Sequence, residues 1–135
     1  MPGGETEGRR RMVAWLRDGL EDYDDDHDAL GHDNTSRLSP YLHFGCLSVR
    51  EIEERLPRGG GAAAFRRQLC WRDFYAHVLL TNPANARHAH QSAMDELEWE
   101  DDEEAFEAWC EGRTGFPVVD AAMRQLRERG WLHNR

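Results

Sequence analysis

The sequence predicts an all-helical fold. Strand formers are scarce, with five valines, four threonines and Ile52 as the only isoleucine, and no stretch alternates apolar and polar residues as a strand would. Apolar residues recur instead at spacings of three and four, the period of a helix face. Ser-Pro, Asn-Pro and isolated glycines punctuate these stretches where helices would start and stop.

The first helix is expected over residues 9–20, with Met12, Val13, Leu16 and Leu20 along its buried face, after a flexible polar segment at residues 1–8. The acidic stretch that follows, through Asp28 to Asn34, has no periodicity and reads as loop. Ser39-Pro40 marks a helix start, since a serine hydroxyl can cap free N–H groups and proline at the first helical position gives up no hydrogen bond. Gly45 should stop that short turn. Ser48 and Glu51 form a capping box for another helix ending near Pro57, and residues 58–61 read as a flexible connector. The longest helix is expected over 62–81, closed by Asn82-Pro83. Residues 84–98 read as irregular, followed by a helix around 103–111 with Gly112 as its C-cap, and a last helix from Pro117 to Gly130.

Composition narrows the function classes. At 135 residues the chain is one domain or a piece of one, and no apolar run approaches membrane-spanning length. All 17 basic residues are arginine, which excludes a Gly-Lys phosphate loop and Schiff-base lysine chemistry. The net charge of −9 lacks the footprint of a nucleic-acid binder, yet Arg58, Arg66, Arg67 and Arg72 crowd one central segment. Cys46, Cys70 and Cys110 have no metal-ligand spacing, so no metal site is expected, and reduced buried thiols suit a cytoplasmic protein.

Three constellations could carry chemistry. Gln68, Trp71, Arg72 and Tyr75 stand at i, i+3, i+4 and i+7, presenting an amide, an indole, a guanidinium and a phenol on one helix face, with Cys70, Phe74 and Val78 on another. Such a stripe suits a planar ligand that stacks on rings and is oriented by polar groups. Spacing alone favours the plainer reading of a half-buried helix with a solvated arginine. Thr35, Ser36, Arg37, Leu38 and Ser39 place three hydroxyls and a guanidinium before a helix start, an arrangement that suits an anion such as phosphate; simple capping explains these residues equally well. Of the five tryptophans, most should be core or lid residues. Trp99 has few apolar neighbours in sequence and could be a binding contact or redox relay, although packing is the plainer reading.

Four strings then stand in register: Thr35-Ser36-Arg37-Leu38-Ser39-Pro40-Tyr41-Leu42-His43-Phe44-Gly45; Gln68-Leu69-Cys70-Trp71-Arg72-Asp73-Phe74-Tyr75; residues 112–126, which read GRTGFPVVDAAMRQL; and Gly130-Trp131-Leu132-His133-Asn134-Arg135. In order and spacing the chain resembles the DNA photolyase and cryptochrome family. The resemblance implies the first part of an all-helical domain that holds FAD, over residues 9–135, without the family's antenna domain or the C-terminal part of the cofactor cage. Alone, such a piece is expected to bind FAD weakly or not at all.

By the same resemblance Tyr23, Thr35, Ser36, Arg37, Leu38, Ser39, Arg72 and Trp131 would touch the cofactor. Gln68, Trp71, Arg72, Tyr75, Asn134 and Arg135 would face DNA carrying a pyrimidine dimer, with Arg66, Arg67 and Arg72 adding phosphate contacts, and Trp99 would pass electrons toward the flavin. The implied activity is light-driven splitting of cyclobutane pyrimidine dimers by a protein monomeric at full length. Glutamine at position 68, where repair enzymes for these dimers usually have glutamate, leaves a cryptochrome-like photoreceptor or a (6-4) photolyase as the alternative.

Overall fold

A computed structural model describes residues 2–32 and 34–134, and every regular element among them is helical. Two compact units divide the chain, Pro2–Arg87 and His88–Arg135.

The first unit opens with α1 (Glu5–Asp18), which begins inside the segment expected to be flexible. Two contacts explain the earlier start. Gly8 lies so close to the Tyr41 ring that a Cβ would stand 2.9 Å from it, and the Tyr41 hydroxyl donates to the Pro2 carbonyl at 2.6 Å. Glu5 and Glu7 add favourable charge at the helix N-terminus. Of the expected face, Met12 and Leu20 are buried and Leu16 packs against the core, whereas Val13 is exposed and Trp15 is buried in its place.

A short helix, α2 (Tyr23–Asp26), forms within the acidic stretch, followed by α3 (Ser39–His43) and α4 (Val49–Glu53). Ser39 lies inside the first turn of α3 and Leu38 occupies the cap, with no side-chain cap bond. The proline fixes the helical φ of the turn, so the hydroxyl is not needed. Only half of the expected capping box forms. The Arg50 N–H donates to Ser48 at 3.2 Å, but Glu51 is taken by Arg9 of α1 at 2.9 Å.

The long helix α5 (Gly60–Thr81) starts within the glycine run. Its first half carries Ala62, Ala64, Phe65 and Leu69 into a core with Met12, Trp15, Leu20, Tyr23, Leu38, Ile52 and Leu56. Trp15, Tyr23 and Phe65 form its aromatic centre, with Tyr23 edge-on to both other rings at 5.4 Å. From Cys70 onward the helix leaves the core, and only Val78 is half-buried.

The second unit contains a 3-10 turn at Ser92–Glu96, then α6 (Glu103–Glu111) and α7 (Pro117–Arg129), packed on each other. Asp102 caps α6, accepting the Ala105 N–H at 2.9 Å. Gly112 and Gly130 end the two helices with φ of 68° and 64°, the left-handed conformation that glycine adopts at least cost. Asp120 ties the connecting loop to α7, accepting the Thr114 N–H and hydroxyl, both at 2.7 Å, and the Gly115 N–H at 3.0 Å. These bonds hold the Asp120 carboxyl below the usual aspartate range, the Thr114 hydroxyl contributing most. The clustered apolar core lies wholly in the first unit.

Two sequence expectations fail on burial. Cys70 and Cys110 are exposed, and Cys46 is half-buried against the core. Of the tryptophans only Trp15 is buried, and Trp71, Trp99 and Trp109 are exposed. No helix among the described residues is long and apolar enough to cross a membrane. No group of three or more His, Cys, Asp or Glu residues among them is placed to hold a metal ion.

Candidate functional site

The loop leading into α3 is built around one apolar anchor. Leu38 is 1% exposed, and burying it draws the polar residues beside it against the core. Asn34 pins the start of the segment by donating to Asp26 of α2 at 2.7 Å, and the Leu38 N–H donates to the Ser36 hydroxyl at 3.3 Å. Between them Arg37 adopts a φ of 51°, the one non-glycine residue with positive φ among those described. A side chain pays for that conformation, and such strain gathers at ligand sites.

These contacts alter the anion argument made from the sequence. With five residues, α3 has little dipole to offer, and Ser39 is exposed. What the segment does offer is hydroxyls and a guanidinium on a strained, anchored loop. The Thr35 hydroxyl is buried and has no hydrogen-bond partner in the protein, a state that a bound polar group would relieve.

Thr35 and Ser36 line an open cleft of about 510 Å³, together with Arg10, Arg11 and Trp15 of α1 and with Asp22 and Asp26. Arg11 and Trp15 stand at i and i+4 and so share a face of α1, as Asp22 and Asp26 do at α2. These four residues belong to none of the sequence motifs. That spacing was the available signal, but it is indistinguishable from an ordinary solvated helix face. Arg10 is held by Glu7 through two bonds, of 2.7 and 2.6 Å, which depress the Glu7 carboxyl.

Tyr23 is 7% exposed, and its ring is committed to the aromatic core. Leu38 likewise serves as an apolar anchor, with its N–H given to Ser36 and its carbonyl accepting the Leu42 N–H. On α5, Gln68 is half-buried, and beyond it Trp71 and Tyr75 stack at 5.8 Å with 26° between their planes. Phe74 lies edge-on to Trp71 at 5.5 Å and is exposed as well. Trp71, Phe74 and Tyr75, read from the sequence as lying on two faces, thus form one exposed aromatic cluster.

Arg72 pairs with its neighbour Asp73 at 2.9 Å, and Arg67 with Asp24 at 2.9 Å. Arg66 is spent on structure: it binds Glu53 at 2.6 Å and the carbonyls of Pro57 and Leu56 at 2.9 and 3.0 Å. These bonds use three of the five guanidinium N–H groups and anchor the side chain at the start of α5.

Within the second unit Trp99 is 83% exposed, so packing does not account for it. Trp131 is half-buried and edge-on to His133 at 6.2 Å, and Asn134 is exposed. Arg135 lies outside the described residues.

Residues 65–135 match the family described as the FAD binding domain of DNA photolyase. The chain belongs to this photolyase family. It is 47% identical over 135 residues to a deoxyribodipyrimidine photo-lyase of Streptomyces griseus, covering 98% of this chain and 29% of that protein. It is 39% identical to the Escherichia coli deoxyribodipyrimidine photo-lyase, covering 99% of this chain and 30% of the other. Among solved structures, a bacterial class III photolyase from Agrobacterium tumefaciens superposes with a TM-score of 0.94 at 33% identity, over 98% of this chain and 29% of that one. A Synechocystis cryptochrome superposes with a TM-score of 0.91 at 32% identity, over all of this chain and 30% of its own. The photolyase-family chain thus spans under a third of the length of these relatives.

FAD is the cofactor this family implies. The buried unpartnered Thr35 hydroxyl, the Ser36 hydroxyl and the strained Arg37 suit a ligand rich in hydroxyl and phosphate oxygens. The residues present therefore fit one end of such a cofactor.

Proposed function

We propose that this chain is the first part of the FAD-binding helical domain of a deoxyribodipyrimidine photolyase, a light-driven enzyme that splits cyclobutane pyrimidine dimers in DNA. The observation that carries the reading is the stacked pair Trp71 and Tyr75, exposed where α5 leaves the core. A damaged base pair is less costly to unstack than a sound one, and extruded bases need a flat apolar surface to receive them.

FAD, when bound, supplies the light-excited electron donor. The chain's residues bind and orient. Thr35, Ser36, Arg37, Leu38 and Ser39 hold the cofactor, and Tyr23, Arg72 and Trp131 also contact it. Trp71 and Tyr75 stack on the lesion, and the Gln68 amide hydrogen-bonds a base edge. Arg72, Asn134 and Arg135 contact the DNA, and Trp99 is the outer relay through which an electron reaches the cofactor. The full-length protein works as a cytoplasmic monomer without a metal.

Gln68 favours a second reading, a cryptochrome-like photoreceptor or a (6-4) photolyase using the same flavin site, because an amide cannot hold negative charge beside the lesion. Assays of the longer protein on DNA carrying either lesion, in light and in darkness, separate the two. Light-dependent restoration of cyclobutane dimers supports the first reading; binding of flavin with no such repair overturns it. This 135-residue chain alone is expected to retain little or no FAD through purification, read from its visible spectrum.

A further inference from the structure

Trp99 is 83% exposed, and the residues on either side of it are acidic. Residues 91–112 carry ten of the 26 acidic residues, all between Asp95 and Glu111, and no arginine or histidine. The rest of the chain is within one charge of neutral. Three of the ten are engaged: Asp95 accepts the Ala89 N–H at 2.8 Å, Asp102 caps α6, and Glu111 pairs with Arg113. Among the described residues, no side-chain hydrogen bond or ion pair takes up Glu98, Glu100 or Asp101, and all three are exposed.

Glu98 and Glu100 are bonded directly to Trp99, and Asp101 follows two residues on. Their Cα atoms therefore lie within about 8 Å of that of Trp99 whatever turn the segment takes, roughly one screening length at physiological salt. Packing does not account for an indole held in water, and uncompensated carboxylates side by side do not stabilise a fold. The exposed ring and the field around it make sense together in an electron-transfer step.

In the reading proposed above, Trp99 passes one electron inward toward the cofactor. The indole is then one electron short and carries a positive charge, with its proton still on Nε1. Neighbouring carboxylates favour that charged form over loss of the proton. A donor from solution must return one electron to Trp99, and is itself oxidised by one. The field that favours the indole cation also sorts these donors, gathering cations and turning anions away.

We propose that the acidic segment around Trp99 is a docking surface for a positively charged one-electron donor that reduces the oxidised indole. This inference rests on the relay role proposed for Trp99.

The first test needs neither flavin nor light-driven chemistry. In the 135-residue chain, Trp99 emission is the difference between the parent and Trp99→Phe, and its quenching by caesium and by iodide is measured. The same pair of measurements is made in Glu98→Gln/Glu100→Gln/Asp101→Asn, which removes charge without removing a contact. Neutralisation should weaken caesium quenching and strengthen iodide quenching, shifting their ratio by about threefold or more at low ionic strength and little at about 1 M salt. An unchanged ratio overturns the proposal.

The second test uses the longer flavin-loaded protein, illuminated without oxygen, with hexaammineruthenium(II) as cationic donor and ferrocyanide as anionic donor. The triple substitution should slow regeneration of Trp99 by the first and speed it by the second, each by about threefold or more at low salt. No change with either donor, or changes of the opposite sign, overturn the proposal. If Trp99→Phe leaves flavin reduction unaltered with both donors, the relay reading falls and this inference with it. That result is distinct from a working relay that shows no preference between donors, which overturns this inference alone.

Discussion

A methyl group on Gly61 would stand 1.8 Å from the carbonyl oxygen of Leu20. The start of α5 is thus seated directly on the turn that follows α1, and no residue with a side chain fits there. Gly61→Ala is expected to destabilise the chain by about 3 kcal/mol or more, because neither backbone can yield cheaply. Gly3→Ala, with nothing within 4 Å, serves as the control in denaturant unfolding.

Phe65 carries the contact between α5 and the rest of the core. It lies 4.4 Å from Trp15 and edge-on to Tyr23 at 5.4 Å. Phe65→Ala should cost about 3–5 kcal/mol by urea unfolding. Tyr23→Ala should cost a similar amount with no flavin present, because that ring is core whatever else its hydroxyl touches.

The three central arginines should separate in the same assay. Arg66→Met removes a fork that satisfies Glu53 and two carbonyls, and a loss of about 1–3 kcal/mol is expected. Arg67→Ala and Arg72→Ala break pairs whose side chains are largely exposed, and each should change stability by about 0–1 kcal/mol. Equal losses at all three positions would mean that Arg66 is not the structural residue described.

The clamp at Asp120 predicts acid sensitivity. Its folded carboxyl titrates below the ordinary aspartate value, chiefly through the Thr114 hydroxyl. The folded α6–α7 hairpin therefore binds fewer protons than the unfolded chain. Its stabilisation is complete above about pH 4, the unfolded aspartate range, and is lost as pH falls through the lower folded value. A carboxyl chemical-shift titration should find an Asp120 midpoint below those of exposed aspartates, and Asp120→Ala should speed amide exchange at Thr114 and Gly115.

Trp99, at 83% exposure, holds up none of the described packing. Trp99→Phe should leave unfolding within about 0.5 kcal/mol of the parent, and iodide should quench Trp99 more readily than Trp15. In the longer flavin-loaded protein the same substitution should slow light-driven reduction of the flavin, a readout that a purely structural role would not move.

Much of this protein can be read from the residues in order. Missing strand formers, Pro117 and the terminal glycines marked the helices, because capping and φ preferences act over a few residues. Residues 103–111 and the glycine caps of α6 and α7 follow those local rules closely. The strings around Thr35, Gln68, Thr114 and Trp131 identified the family because each is a contiguous run of unusual residues.

Which groups bury, pair and converge was decided only by the tertiary structure. Period 3.6 draws a stripe on α1, but packing turned that stripe toward Trp15 and away from Val13, since the neighbouring rings are Tyr23 and Phe65. Glu51 left its capping box for Arg9, forty-two residues away in sequence, and Arg66 anchors the carbonyls of Leu56 and Pro57. Arg11, Trp15 and Thr35 come to one cavity from separate stretches of chain. Local sequence sets the backbone's preferences, whereas burial and partner choice depend on contacts between distant residues that exist only once the chain has folded.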